Sequence, residues 1–209
     1  VIDVTKLLKP KVTAIVRGDA EFLEYWAYPA TPAKGVLYVT HENHEFVSGH
    51  VRMRGKDEGR YPFHYLDMID NLFGYEPNTI EVCSREVEGC VTVDINEEME
   101  PDIIEDGQTL DCIASNKFDR WRCDPPYNTN AAERMYGTSV PDTYKLLTAG
   151  ARVCKVGALM FLLLGPQNYQ WHPEGVKRIG LIFISVVPNN EVRCLNIYYK
   201  EQENQARLQ

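Results

Sequence analysis

Asp124-Pro125-Pro126-Tyr127 places an acceptor carboxylate, two prolines and an aromatic ring within four residues. The Asp124 carboxylate and the Pro125 carbonyl can each accept a hydrogen bond from an amino group. Tyr127 can stack on a planar ring. The prolines fix φ and carry no amide donor, so they hold the acid and the ring in a rigid turn. The same residues also suit an ordinary turn, because Asp and Pro favour turns in any context. The neighbouring sequence has to decide between these two readings.

The run Phe118–Cys123 alternates as a strand does, and the prolines end it because they cannot donate to a sheet. The tetrapeptide therefore sits at a strand tip, where open α/β sheets hold their ligands. Further strands are predicted at 36–40, 45–53, 79–83, 89–93 (ending on Asp94), 103–104, 158–164, 176–187 and 191–200. The stretch 158–164 is wholly apolar, as a central strand would be. Leu66, Met68, Ile69, Leu72 and Phe73 recur at helical spacing before Gly74. A second helix is predicted within 141–150, with Pro141 near its start and Gly150 near its end. Pro188-Asn189-Asn190 reads as a tight hairpin turn, since Asn tolerates positive φ. Residues 1–35 are mixed, with a turn-rich stretch at 28–35, and 55–59 reads as an exposed charged loop. These elements predict an α/β fold, with parallel strands closed by an antiparallel hairpin after a small N-terminal extension.

The composition, 44% hydrophobic and 25% charged over 209 residues, is that of a soluble globular chain. No apolar run is long enough to span a bilayer, and no signal peptide opens the sequence, so no membrane association is expected. The cysteines at 83, 90, 112, 123, 154 and 194 form no CxxC pair, and several sit in apolar strand patterns. A reduced cytoplasmic protein is expected rather than a disulfide scaffold. The net charge of −8 argues against a simple nucleic-acid binder. The charge is uneven, however: residues 1–60 carry nine Lys/Arg against eight Asp/Glu, and Arg52, Arg54, Lys56 and Arg60 cluster. Arg120, Arg122 and Arg134 flank the tetrapeptide. Phosphate contact is one use for these cations, and a solvated face is the other.

Three other groups of residues could hold a ligand. His41, His44 and His50 lie near Glu42 and Glu45, but the spacing is H-x-x-H with no evident helix or fourth ligand, so no metal is expected. Tyr25, Trp26 and Tyr28 suit either core packing or base stacking. Gln167, Asn168, Tyr169, Gln170, Trp171 and His172 follow the apolar strand and suit either target contact or a capping loop.

This order of strand tips resembles the class I S-adenosylmethionine-dependent methyltransferases over roughly residues 61–200. Asp124-Pro125-Pro126-Tyr127 is similar to the catalytic motif of their amino-methylating branch, which modifies adenine N6 or cytosine N4. The resemblance implies a Rossmann-like sheet, mostly parallel with its last strand antiparallel. It also implies S-adenosyl-L-methionine as cofactor, a DNA or RNA substrate, and a catalytic set of Asp124, Pro125, Pro126 and Tyr127. Residues 1–60 become an extension with a candidate target-recognition role, and 61–209 the methyltransferase domain. Glu81, Cys83 and Ser84 match the first cofactor-binding strand and loop. Asp94 matches the acid that holds the ribose hydroxyls, as a carboxylate can accept two hydroxyl hydrogen bonds. Asp106 matches the acid near the adenine ring, with Ile95, Gly107 and Gln108 as its neighbours.

The chain departs from the family pattern at the first loop, which reads Cys83-Ser84-Arg85 and contains no Gly-x-Gly. Only twelve residues separate Glu81 from Asp94, so the first crossover helix must be short or replaced by a loop. Adenine N6 is the first expectation, with cytosine N4 the nearer rival. A small-molecule or protein amine is a further substrate class. The glycine-poor loop motivates a different class of function: a catalytically silent methyltransferase-like subunit that binds nucleic acid or a partner. No large insert separates the cofactor and catalytic segments, so recognition would come from residues 1–60, short loops or a partner subunit.

Overall fold

The computed structural model describes residues 7, 13–17, 20–27, 33–40, 47–55, 61–83, 87–166, 171–187 and 191–202. In chain order these form β1 (Thr13–Arg17), β2 (Ala20–Ala27), β3 (Ala33–Thr40), β4 (Val47–Arg54), α1 (Tyr65–Phe73), β5 (Thr79–Val82), β6 (Val91–Asp94), β7 (Ile103–Ile104), β8 (Phe118–Cys123), α2 (Thr129–Tyr136), α3 (Thr143–Val153), β9 (Cys154–Leu164), β10 (Val176–Val187) and β11 (Glu191–Lys200). The chain divides into two compact units: Val1–Glu76 with Ile179–Asn196, and Pro77–Arg178 with Ile197–Gln209. In this division α1 groups with the N-terminal strands.

In the first unit β1 to β4 form an antiparallel meander, and β10 pairs parallel to β4 from Gly180↔Val47 to Val187↔Arg54. Burial alternates along β4, with Gly49, Val51 and Met53 inside and His50, Arg52 and Arg54 outside. Helix α1 buries Tyr65, Met68, Ile69, Leu72 and Phe73, one stripe at 3.6-residue spacing that includes Tyr65 rather than Leu66.

In the second unit β7-β6-β5-β8-β9 are parallel neighbours, and the end of β11 follows β9. Ile80, Val82, Val93, Trp121, Met160 and Leu162 meet Leu146, Leu147 and Val153 of α3 in one core. Asp142 caps α3 by accepting from the amides of Tyr144 and Lys145. The helix runs three residues past Gly150, whose role is contact rather than termination. A Cβ there would stand 2.7 Å from Trp121 Cε2, so only a bare backbone lets α3 lie on β8. Arg152 at the far end of α3 donates to the carbonyls of Thr109 (3.1 Å), Leu110 (2.6 Å) and Ile113 (2.8 Å). The buried Lys200 ammonium donates to Cys154 O at 2.7 Å and Asn116 Oδ1 at 2.8 Å, tying the end of β11 to the start of β9.

Several elements differ from the sequence expectation. Strands β1 and β2 occupy a stretch that reads as mixed, because Glu21 and Glu24 blur the period-two pattern. Strand β9 starts at Cys154, four residues early, with an irregular register against β8 and Gly157 at φ 91° taking up the bend. Helix α2 is only eight residues long; its marks are local, an Asn128 side chain accepting from Ala131 N and Gly137 at φ 63°. Cys83 lies just beyond β5 rather than within it. Among the described residues between β5 and β6 there is no helix, only a turn through Gly89 at φ 79°. The loop at 56–60 and the turn at 188–190 lie outside the described residues. Among the described residues no helix is long and apolar enough to cross a membrane.

Replacing Gly150 with Ala should cost about 1–3 kcal/mol of stability through overpacking against Trp121. Urea unfolding followed by tryptophan fluorescence measures this, and an unchanged midpoint would contradict the tight contact.

Candidate active site

Parallel register brings the ends of β5, β6 and β8 to one edge, so Cys83, Asp94 and Asp124 begin neighbouring loops. These loops and the start of α3 line one cavity of about 570 Å³, counting space open to solvent. The strand tips contribute Cys83, Asp94 and Ile95, the next loop Asp106, Gly107 and Gln108, and the tetrapeptide Pro126. Thr138, Ser139, Pro141 and Leu146 complete the lining.

Asp94 is 1% exposed. Its Oδ1 accepts from Asn96 N at 2.8 Å, while Oδ2 has no hydrogen-bond partner among the described residues. Burial pushes the carboxyl up to about 6, with the Asn96 and Ile95 amides pulling the other way. Asp106 accepts from Gln108 N at 2.9 Å, and both its oxygens lie 3.3 Å from Gln108 Nε2. The other end of that amide, Oε1, accepts from Asp142 N at 2.9 Å. Gln108 thus pins the segment ending at the α3 cap to the Asp106 loop. A Cβ on Gly107 would stand 2.5 Å from Val82 Cγ1, so a bare backbone packs against the tip of β5.

Cys83 adopts φ 57°, a left-handed conformation that costs a non-glycine residue about 1–2 kcal/mol. Its amide donates to Val93 O at 3.0 Å. Cys123 is fully buried, and burial, then the neighbouring Cys83 thiol, pushes its own thiol far above the ordinary range.

In the tetrapeptide, Asp124 N donates to Val82 O at 3.3 Å. Pro125 is buried, while Asp124, Pro126 and Tyr127 are half-buried. The Tyr127 ring lies against Gly165, where a Cβ would be 3.1 Å from Cδ2. Of these four residues Pro126 lines the cavity; Asp124, Pro125 and Tyr127 are not among its lining residues.

Glu81 does not line the cavity either. Its buried carboxylate accepts from Arg122 Nε at 2.6 Å, across the register pair Glu81↔Arg122. Neither use expected of Arg120 and Arg122, a solvated face or phosphate contact, holds: they are 4% and 6% exposed. They lie on a strand flanked on both sides, Arg122 on Glu81 and Arg120 with its guanidinium 5.5 Å from the Phe161 ring. Arg134 on α2 is exposed. Ser84, His41, His44, Tyr28, Lys56, Arg60 and residues 167–170 lie outside the described residues. His50 bonds Ser185, and His172 meets the Tyr198 ring edge-on. Sequence reasoning missed Thr138, Ser139, Pro141 and Leu146; the available signal was Gly137, which ends α2 and starts that wall.

No family model matches the sequence, and no curated protein is similar to it. Solved structures are. TrmN from Thermus thermophilus superposes with a TM-score of 0.50 at 12% identity, over 68% of this chain and 50% of TrmN. The fold is that of the class I methyltransferases. The match spans about half the length of TrmN, and at this identity the likeness is one of fold. The candidate methylase HI0767 from Haemophilus influenzae aligns at 10% identity over 66% of this chain and 86% of its own, with a TM-score of 0.40. Within this fold β5, β6 and β7 are the first three strands, β8 and β9 the fourth and fifth, and β10 and β11 the antiparallel hairpin.

Arg122→Met alone should cost about 3–5 kcal/mol, because it strands the Glu81 carboxylate in the core. The double variant E81L/R122M should recover most of that loss in denaturant titrations; if the two losses simply add, the pair is not coupled. Asp94 gives a pH signature. Between pH 3.8 and about 6 the folded chain keeps a proton that the unfolded chain releases. The folded state therefore loses stability as pH rises through that window. Asp94→Asn keeps the Oδ1 acceptor and should raise stability at pH 7 by about 1–3 kcal/mol. The gain should vanish near pH 4 in thermal melts taken across pH 4–8.

Proposed function

We propose that this chain is an S-adenosylmethionine-dependent methyltransferase acting on an exocyclic amino group of a nucleic-acid base, with adenine N6 favoured. The observation that carries the reading is that Asp94, the Asp106–Gln108 loop and Pro126 of the tetrapeptide line one cavity at the tips of parallel strands. The donor set fits the cofactor. The unpartnered Asp94 Oδ2 suits vicinal ribose hydroxyls, and Asp106 is an acceptor for an adenine amino group. Ile95 and Leu146 supply apolar surface for a flat ring, and Gly107 keeps the backbone close. When bound, S-adenosylmethionine supplies an electrophilic methyl group.

The chain's own task is positioning. An exocyclic amine is a poor nucleophile because its lone pair is delocalised into the ring. Asp124 and the Pro125 carbonyl would accept its two N–H bonds and so aim the lone pair toward the cavity. Tyr127, held on Gly165, would stack on the base. A base in a duplex must first leave the stack. No covalent cysteine step is needed. The free cysteines suit a reducing, cytoplasmic setting. Cytosine N4 is the nearest alternative target.

One observation favours the silent-subunit reading. Cys83, a cavity residue, takes the left-handed conformation at the place where the family has glycine. Its thiol occupies space that glycine would leave to the cofactor. Calorimetry with S-adenosylmethionine separates the readings, as a folded protein that binds none would be the silent subunit.

The direct test is incubation with labelled cofactor and separate DNA and RNA pools, followed by nucleoside mass analysis. N6-methyladenine is the expected product. Asp124→Ala should lower transfer by about 10²–10³-fold while cofactor affinity holds. Normal methylation by that variant would sink the mechanism.

A further inference from the structure

The Asp106 carbonyl accepts from the amides of Thr109 at 3.1 Å and Leu110 at 2.9 Å, and the Asp106 amide donates to Glu105 Oε1 at 3.1 Å. Arg152 holds the following turn through the Thr109 and Leu110 carbonyls. The backbone at Asp106 is therefore fixed, and the freedom left to this cavity residue is rotation of its side chain. Gln108 removes that freedom. Its Nε2 lies 3.3 Å from both carboxylate oxygens, and its backbone amide donates to Oδ1 at 2.9 Å. The direction in which the Gln108 amide points is set at its other end. The Asp142 backbone N–H, 2.9 Å away, can only donate. The atom that meets it is therefore Oε1, and the atom turned to Asp106 is the donor Nε2. Asp142 in turn caps α3, so the anchor for Gln108 is the start of a helix. A carboxylate offers about four acceptor positions. Gln108 uses two on Oδ1 and one on Oδ2, which leaves a place on Oδ2 for one outside donor.

We propose that Gln108 is a positioning residue: by locking the Asp106 carboxylate it makes the cavity select a purine with an amino group at C6 over one with an oxo group there. The amino group donates to the acceptor position left on Oδ2. An oxo oxygen in the same place faces a carboxylate, and neither can donate to the other. The oxo purine does carry a donor on the neighbouring ring atom, N1, and a carboxylate free to turn could reach it. Held by Gln108, the carboxylate cannot follow. Gln108 thus acts through Asp106 and not by its own contact with the base. The inference deepens the function proposed above and rests on that reading for the presence of the cofactor's purine beside Asp106.

Calorimetry of the full chain with S-adenosylhomocysteine and with its inosine counterpart gives the base preference as a ratio of affinities. The parent should favour the adenine compound by about tenfold or more, the worth of a hydrogen bond to a charged group. Q108E keeps an oxygen for the Asp142 amide but sets a second carboxylate against Asp106, and should lower the ratio by about tenfold. Q108M adds no charge and should lower the ratio as well. D142A removes the α3 cap but leaves both Asp106 and the backbone amide that holds Gln108. It should weaken the two ligands alike and keep the ratio. Thermal melts show that each variant is folded. A merely structural role for Gln108 would make Q108E and Q108M resemble D142A, with both affinities lowered and the ratio held; that result would overturn the proposal, as would a parent without preference. If the parent binds S-adenosylhomocysteine and both Gln108 variants keep its ratio, this inference fails and the proposed function stands. If neither compound binds the parent, both fail. If the ratios change as expected but no base is methylated, the inference stands and the proposed chemistry fails.

Discussion

The indole of Trp121 fills the space that a side chain at Gly150 would need, so α3 lies directly on β8. The cavity depends on that contact. One end of α3 presents Leu146 to the lining and Asp142 to Gln108. The other end carries Arg152, whose three bonds to backbone carbonyls hold the 109–113 segment in place. The helix therefore acts as a brace between the loop after β7 and the wall after α2. Its position against the sheet is set by a missing side chain, in keeping with the tight packing of protein interiors.

What was legible in the sequence shared one property: each feature carried its signal within a few residues. The strand before the tetrapeptide alternates and then stops at two prolines. Asp94, Asp106, Gly107 and Gln108 stand at or just past strand ends, and parallel register gathers them. The illegible parts depend on contacts distant in sequence. Arg120 and Arg122 read as surface charge, and only the Glu81↔Arg122 register shows why a guanidinium can be buried. Gly150 reads as a helix end until Trp121 is seen beneath it. Helix α2 offers only a two-turn apolar set, half of it alanine, and without the helix the wall from Thr138 to Pro141 has no anchor in a sequence reading.

The glycine-poor first loop proves to be a backbone problem with a local answer. The turn after β5 demands positive φ, and Cys83 supplies it at a steric cost, while its amide still bonds Val93 O. A residue held in a disfavoured conformation at a cavity wall is where surrounding structure must supply the compensation. Here the compensation includes the close packing of Gly107 on Val82 and the Cys123 thiol beside Cys83.

Strands β10 and β11 are each divided between the two compact units, with Ile179–Asn196 in the first and their remaining residues in the second. The ladder partner of Val47 is Gly180. During synthesis the N-terminal meander leaves the ribosome well before the strand that covers β4 exists. Until the hairpin arrives, β4 has an open edge, the condition that invites pairing with another chain. Closing so long a loop is also entropically slow. The β10–β11 hairpin thus acts as a timer for the first unit, and a nascent protein stalled before it would present a bare sheet edge for chaperones to shield.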